Sequence, residues 1–480
     1  MYSKFGQFID GKWQPSEKNE TYDVINPATE EVIGKASKAT KNDVLKSLKS
    51  AEKGFKIWKK TSAWERSSKI RKISELMRAR KEVLAKWLAL EVGKPLVEGL
   101  GEVGSAADIF EWNSEETKRI FGQTVESRFE DTRVQIIYQP IGVVAALVPW
   151  NFPIILASRK ISTALAAGCS VIVKPDVITP GAVMEMMNII KDAGIPDGVV
   201  NLLSGDPEQI SNELISSDII KKVSITGSTR VGKLILKKAA DKVQRVTMEL
   251  SGHAPFIVFE DSNIDKVTDM AIASKYRNNG QVCISPSRFY IHESKKDDFA
   301  KTFVEKTKKL KIGDGMKKDV NLGPITTKKR LEKIEKLVEK TKQEGGKILY
   351  GGKRPAGFNK GYFYEPTIFD NIKDDFTVMT EEPFGPITAI TTFKNFDEVI
   401  RRANKHDCGL AGYVCTNSME IAFKASEQLE TGVVAINTPV VATAETPFGG
   451  IKQTGYGREG GTVGIKDYLN IKYTHLGLSG

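Results

Sequence analysis

Four cysteines and four histidines among 480 residues are too few to suggest a structural metal site or a disulfide framework. Cys169, Cys283, Cys408 and Cys415 form no CxxC pair, and so sparse a set suits a reducing compartment. No uninterrupted apolar run approaches the roughly 18 residues of a membrane-spanning helix. The first residues, MYSKFGQFIDGKW, have no apolar core of signal-peptide length, so a cytoplasmic protein is expected. Internal repeats, low-complexity linkers and nucleic-acid-binding motifs are also lacking. The formal charge of +11 therefore reads as a solvated surface, with acids interleaved among the lysines of TKKRLEKIEKLVEKTK. It does not point to a nucleic-acid partner, although a positive surface helps attract small anions.

What is present is an ordinary soluble composition, 40% hydrophobic and 27% charged, in a chain long enough for two or three domains. Residues 5–35 read as short strands and turns, with a tight-turn signal at Asp10-Gly11. A helical pattern runs from about Asn42 to Glu91 and stops at Lys94-Pro95, and another helix follows over roughly 98–118. From 141 to 250, short β-branched runs alternate with helical stretches: IGVVAALVP, SVIVKP, VVNLLSG, KKVSITGS and VTMELSG. That alternation predicts parallel βαβ units in an open twisted sheet, with ligands at the carboxyl ends of the strands. The loops WNFP, KPDV, SGDP and TGST fall there. A second α/β region is expected over 251–450, and IKDYLNIKYTHLGL reads as a strand with little core of its own.

Several segments carry chemistry, each beside a plainer reading. ITGSTRVGK has Gly227 and Gly232 at P-loop spacing, but Leu234 stands where a Walker motif needs a magnesium-binding hydroxyl, which argues against a phosphate-transfer enzyme. What remains is a strand, a glycine turn and a helix N-terminus, suited to a phosphate and equally to an ordinary βα turn. Cys283 lies in the polar segment YRNNGQVCISPSRF, whereas Cys169 and Cys415 have apolar flanks; a lone cysteine is more often a small buried residue than a nucleophile. Glu249 ends an apolar strand at MELSG, as a base of raised pKa or a solvated strand-end acid. Asn151 in PWNFP is a turn former or an amide donor to an oxyanion. Glu381-Glu382 before PFGP is a turn or a ligand site.

In this order and spacing, PWNFP, VIVKP, TGS, MELSGHAP, NNGQVC, EEPFGP and PFGGIKQTGYGRE resemble the aldehyde dehydrogenase superfamily over nearly the whole chain. The resemblance implies an α/β fold with a Rossmann-type cofactor domain (1–118 and 141–250), an α/β catalytic domain (251–450) and a small β oligomerisation element (119–140 and 466–480). Absence of the usual GxGxxG fingerprint does not count against that fold. A homodimer or homotetramer is implied. Cys283 is then the nucleophile, its thiolate accessible near neutral pH, and passes through a thiohemiacetal to a thioester. Asn151 and the Cys283 backbone N–H form the oxyanion hole, Glu249 is the general base for deacylation, and Glu459 in YGRE is a second carboxylate with a proton-relay role. Lys174 and Glu382 hold the ribose hydroxyls of NAD or NADP, Gly227 and Ser228 the pyrophosphate, and Trp150 and Phe384 line the cofactor pocket. Three residues after the ribose lysine, NAD-preferring members commonly carry glutamate; here Val177 stands there, so NADP should be tolerated.

The substrate side looks most like the succinate semialdehyde dehydrogenases, in ELSGHAPFIVF, SKYRNNGQ and FGGIKQTGYGREG. Arg159 and Arg277 match the two arginines that hold the substrate's far carboxylate in that group, a role that suits a planar fork of donors. Two positions depart: the group's carboxylate-contacting serine is Ala442, with Thr443 beside it, and its second active-site cysteine is Ser285, so a disulfide switch of that type is not available. 2-Oxoglutarate semialdehyde and lactaldehyde are alternative substrates. A catalytically silent member of the fold is a further alternative, against which Cys283, Glu249 and Asn151 together argue.

Overall fold

The computed structural model describes residues 2–478. Two seven-stranded sheets and one three-stranded sheet organise them. In the first sheet the strands run Arg245–Glu249, Ile220–Thr226, Val143–Leu147, Ser170–Lys174 and Val200–Leu202, all parallel, and the hairpin Gln7–Ile9/Lys12–Gln14 extends it antiparallel beyond Val200–Leu202. The tight turn expected at Asp10-Gly11 joins that hairpin, with both residues at positive φ, 51° and 72°. Helices cover both faces, so Val143–Leu147 and Ser170–Lys174 are buried at every position and read as continuous apolar runs.

The second sheet, in the order Lys347–Tyr350, Thr367–Asp370, Ile387–Phe393, Pro286–His292, Ala254–Val258, Ala411–Cys415 and Val433–Ile436, is parallel except for its first strand. The third pairs Leu469–Gly477 with Thr132–Pro140, which also holds Gln123–Val125. Its outer strand leaves Ile471 and Tyr473 each 71% exposed. No helix among the described residues is long and apolar enough to cross a membrane.

One helical expectation resolves differently. The pattern from Asn42 to Glu91 is three helices, Lys41–Trp58, Ala63–Ala79 and Lys81–Glu91. The first break comes at Thr61-Ser62, where the Ser62 hydroxyl accepts from the Glu65 N–H and caps a new helix. Pro95 does not stop a helix but opens the next, Leu96–Glu116. That helix packs against Ala63–Ala79 and Pro153–Ala167 and carries Glu102 to the floor of the site.

Candidate active site

The carboxyl ends of the first sheet face the loop that carries Cys283. Upstream of it, Asn278, Asn279 and Gly280 all sit at positive φ, 47°, 54° and 72°. Asparagine tolerates the left-handed region better than most residues. Glycine is required at 280, because a Cβ there would lie 2.2 Å from the Gly385 carbonyl oxygen. The loop is tied internally: Gln281 Nε2 donates to the Asn278 carbonyl (3.0 Å), and Gln281 Oε1 accepts from the Thr326 N–H (2.9 Å). A cysteine held on such a knot has a fixed direction of approach.

Asn151 is fixed from below by a buried ion pair. Lys94 Nζ and Glu102 Oε2 stand 2.5 Å apart, both fully buried, and Lys94 also donates to the Asn151 carbonyl at 2.9 Å. Glu102 Oε1 accepts from the N–H groups of Ile154 and Ile155 in the first turn of the next helix. The Asn151 amide donates one hydrogen to the Gln281 carbonyl (3.1 Å). Its second N–H is free to serve an oxyanion beside Cys283.

Two cavities meet at this point, sharing Asn151, Leu156 and Cys283. The larger, about 660 Å³, is walled by Trp150, Lys174, Gly227, Ser228, Glu382 and Phe384, six of the residues expected at a cofactor. Trp150 meets Phe384 edge to face, with ring centroids 5.6 Å apart, and Phe384 holds a strained φ of 43°. The Ser228 hydroxyl accepts from the Val231 N–H and caps the helix Thr229–Ala240, and the start of that helix, at Ser228, Arg230 and Val231, lines the cavity. A Cβ built on Gly227 would touch nothing nearer than Ile225, at 4.0 Å. The protein itself therefore does not demand glycine; bare backbone there leaves room for a phosphate, and the residues present fit a dinucleotide. Glu382 accepts from Ser251 and from the Gly252 N–H, with the Arg330 guanidinium nearby; burial nevertheless raises its pKa to about 7.

Val177 is the exception on this side. It does not wall the cavity, whereas Asp176 does. Past the strand end the chain turns, with the Asp176 carboxylate accepting from the Ile178 N–H at 3.0 Å, and Asp176 rather than Val177 lines the cavity with Lys174. The sequence reading had passed over Asp176, and also Arg230, Arg330 and Lys333 in the same wall.

The smaller cavity, about 360 Å³, holds Phe152, Arg159, Arg277, Ala442, Thr443 and Phe448. Arg159 is 4% exposed, and its guanidinium reaches only the carbonyls of Glu459 and Thr443, each at a long 3.4 Å. It lies 5.1 Å from the Phe448 ring centroid, and Arg277 lies 4.8 Å from that of Phe152. Among the described residues, neither arginine has a carboxylate within 4.0 Å. The Thr443 hydroxyl is shared with Thr446 at 3.2 Å.

Glu249 and Glu459 line neither cavity. Both lie behind the floor, 2% and 3% exposed. Both oxygens of Glu249 are buried without a hydrogen-bond partner, and burial, then the charge of Glu459, raises its pKa well above the carboxylate range. Glu459 Oε1 is 2.5 Å from Lys160 Nζ. Lys160 was missed in the sequence, although Arg159-Lys160 inside the otherwise apolar PIILASRKISTALAA signalled a buried, paired cation.

Cys283 is part-buried where the two cavities join. Burial, then the charges of Glu382 and Glu249, pushes its thiol pKa up to about 12.

Residues 13–474 match the family model described as "Aldehyde dehydrogenase family". The chain is 40% identical to the glutarate-semialdehyde dehydrogenase of Pseudomonas putida over 466 residues, which is 97% of this chain and 96% of that protein. It is 39% identical to the NADP(+) succinate-semialdehyde dehydrogenase of Escherichia coli, over 98% and 97% of the two chains. A crystal structure of succinate-semialdehyde dehydrogenase from Burkholderia pseudomallei superposes with a TM-score of 0.97 at 39% identity, covering 98% of each chain. With a fold of this type and a cysteine held where two cavities join, the chain belongs to the aldehyde dehydrogenase family.

Proposed function

We propose that the protein oxidises a small aldehyde bearing a carboxylate at its far end, succinate semialdehyde first, to the corresponding acid with NAD or NADP. The observation that carries the substrate reading is Arg159. A guanidinium 4% exposed, without an acid partner, is costly unless a ligand supplies the charge. Arg277 on the same cavity offers a second fork, and Thr443 a hydroxyl. Relatives named for succinate and glutarate semialdehyde support the same class of substrate.

In this reading Cys283 attacks the aldehyde carbonyl, and the free N–H of Asn151 with the Cys283 backbone N–H stabilises the developing oxyanion. NAD or NADP would supply the hydride acceptor; Lys174 and Glu382 would hold its ribose hydroxyls and Gly227 and Ser228 its pyrophosphate, with Trp150 and Phe384 lining the pocket. The Cys283 thioester is then hydrolysed by a water that Glu249 deprotonates, its side chain swinging toward the cavity floor to do so. Glu459 relays the proton. Residues 1–118 with 141–250 form the cofactor domain, 251–450 the catalytic domain, and 119–140 with 466–480 an oligomerisation element. The exposed Ile471 and Tyr473 give that element an apolar face for a second copy, as a homodimer or homotetramer. Four free cysteines fit action in the cytoplasm.

The test is to compare succinate semialdehyde with butyraldehyde in Arg159→Ala and Arg277→Ala. A charged hydrogen bond is worth roughly 1.5–3 kcal/mol. The acidic substrate should therefore lose about 10- to 100-fold in kcat/KM, and butyraldehyde much less. Equal losses for both substrates in both variants defeat the substrate reading and leave the family assignment intact. Glutarate semialdehyde in the same assay shows which chain length fits better.

A further inference from the structure

Lys94, Glu98 and Glu102 recur every four residues, on one side of the helix Leu96–Glu116 and the turn before it. A helix side that carries charges at this spacing is ordinarily a solvated one. Here Lys94 is 1% and Glu102 0% exposed, and Glu98 is part-buried. Burial raises the Glu98 pKa, while the charges of Lys94 and Arg277 pull it down. Buried ions are stabilising only where their geometry is excellent, and apolar side chains of similar volume serve packing as well or better. The cluster therefore points to a role beyond packing.

Its contacts reach two residues with different tasks. The Asn151 carbonyl accepts from Lys94 Nζ at 2.9 Å and from Asn278 Nδ2 at 3.1 Å. Glu102 accepts from the Ile154 and Ile155 N–H groups just beyond. Glu98 Oε2 accepts at 2.8 Å from the N–H of Asn278, the residue that follows Arg277. The Phe152 ring meets both sets, with Lys94 Nζ 3.7 Å and Arg277 Cζ 4.8 Å from its centroid. The helix start is itself clamped. The Leu96 N–H donates to the Gly315 carbonyl at 2.9 Å, and the Val92 carbonyl accepts from the Thr326 hydroxyl at 2.8 Å. A Cβ on Gly323 would lie 1.9 Å from the Gly93 carbonyl oxygen, so backbone meets backbone there. Thr326 closes a ring: its N–H donates to Gln281, and Gln281 donates to the Asn278 carbonyl.

We propose that this helix start sets the length of substrate the site accepts: Lys94 with Glu102 positions Asn151 for the oxyanion, Glu98 positions Arg277 for the far carboxylate, and one rigid element fixes the spacing between the two. The inference rests on the substrate reading above. None of the three lines either cavity, so they are positioning residues that act through Asn151 and Arg277. A misplacement of about 1 Å at a reacting centre costs up to about 100-fold in rate. A semialdehyde one methylene longer or shorter must displace either its carbonyl from Asn151 or its carboxylate from Arg277. The substrate class is thereby narrowed to acidic semialdehydes of one chain length.

The experiment compares succinate semialdehyde, glutarate semialdehyde and butyraldehyde. In the wild type, kcat/KM for the two acids should differ by about tenfold or more, the scale of one methylene in a fitted site. Glu98→Ala frees the Asn278 N–H. It should lower kcat/KM for the preferred acid about tenfold, mainly through KM, and cut the ratio of the two acids to about threefold or less, with a much smaller loss for butyraldehyde. Glu98→Gln keeps an acceptor and should restore the wild-type ratio. Lys94→Met with Glu102→Leu replaces the ion pair by apolar side chains and should slow the burst of reduced cofactor about tenfold on all three aldehydes. Added to Asn151→Ala, that pair should cost less than about twofold more, because it acts through the same residue. A wild-type ratio within about twofold overturns the proposal. So does a Glu98→Ala variant that keeps the ratio or loses equally on all three aldehydes, and so does a Lys94–Glu102 effect that multiplies that of Asn151→Ala. If the double variant does not fold, the two Glu98 variants decide alone. Arg277→Ala separates the failures: equal losses on acidic and neutral aldehydes there defeat the substrate reading and this inference with it, whereas a selective loss there beside an unmoved ratio in Glu98→Ala defeats this inference alone.

Discussion

On one side Cys283 faces strand ends, a helix N-terminus and bare backbone at Gly227; on the other it faces side chains brought from separate segments, Phe152, Arg159, Arg277, Thr443 and Phe448. The first wall joins the main chain of strand ends and a helix start to side chains such as Trp150, Lys174, Glu382 and Phe384, and it fits a group common to many reactions. The second is made of side chains, any of which changes by single substitution without disturbing the sheet. Recognition by backbone is hard to alter, and recognition by side chains is easy to retune. Charge is arranged differently as well. The cofactor wall holds its acid and base close together, Glu382 beside Arg330, while the substrate wall leaves Arg159 without an acid partner.

The most drastic way to test this division is at the shared residue. Cys283→Ala should abolish aldehyde oxidation on every substrate while leaving cofactor binding, followed by protein fluorescence, within about twofold, since the larger cavity keeps its sheet-borne wall. Oxidation persisting within tenfold of wild type would remove Cys283 as the nucleophile.

A smaller effect is expected from the charges around the thiol. Glu382 and Glu249 both raise the Cys283 pKa, so in the free protein alkylation by iodoacetamide should be slow at pH 7 and climb steadily toward the thiol's value of about 12. Glu382 itself titrates at about 7 and is charged above that. Glu382→Gln removes a negative charge near the sulfur, lowers the thiol pKa and should speed alkylation at pH 8.5 by about three- to tenfold. An unchanged rate would mean that burial alone sets the thiol, and that the cofactor wall and the nucleophile are electrostatically independent.

The sequence reached these walls unequally. Alternation of β-branched runs with helical stretches placed WNFP, KPDV and TGST at strand ends, because a parallel sheet buried on both faces imposes that pattern on every strand. Contacts that depend on direction were not legible. Whether Val177 or Asp176 enters the cleft depends on how the chain leaves the strand at Lys174. The pairing of Lys160 with Glu459 joins residues 299 apart in sequence. The buried position of Glu249 near Glu459 joins two distant segments of the chain, and the break at Ser62 rests on a single capping hydroxyl in a pattern whose apolar spacing continues across it. Composition carries none of these.

The smallest expected effect concerns the two adjacent residues that the structure distinguishes. Asp176 enters the cofactor cavity beside Lys174, and burial raises its pKa while Lys174 pulls it down. A carboxylate there accepts from the free ribose hydroxyls of NAD and repels the 2′-phosphate of NADP. Like charges about 4 Å apart repel by roughly 1–4 kcal/mol between bulk water and a protein surface. Solvent reaching an open cleft favours the lower end. Asp176→Ala should therefore raise the NADP-to-NAD ratio of kcat/KM by about 5- to 20-fold. Val177→Glu places a longer carboxylate one residue on, where the side chain points away and must bend back to reach a ribose. It should move the ratio toward NAD by about threefold or less. If Val177→Glu moved the ratio further than Asp176→Ala, the chain beyond Lys174 would have to turn the other way when a cofactor binds, and the wall taken here as rigid main chain would be adjustable at that corner.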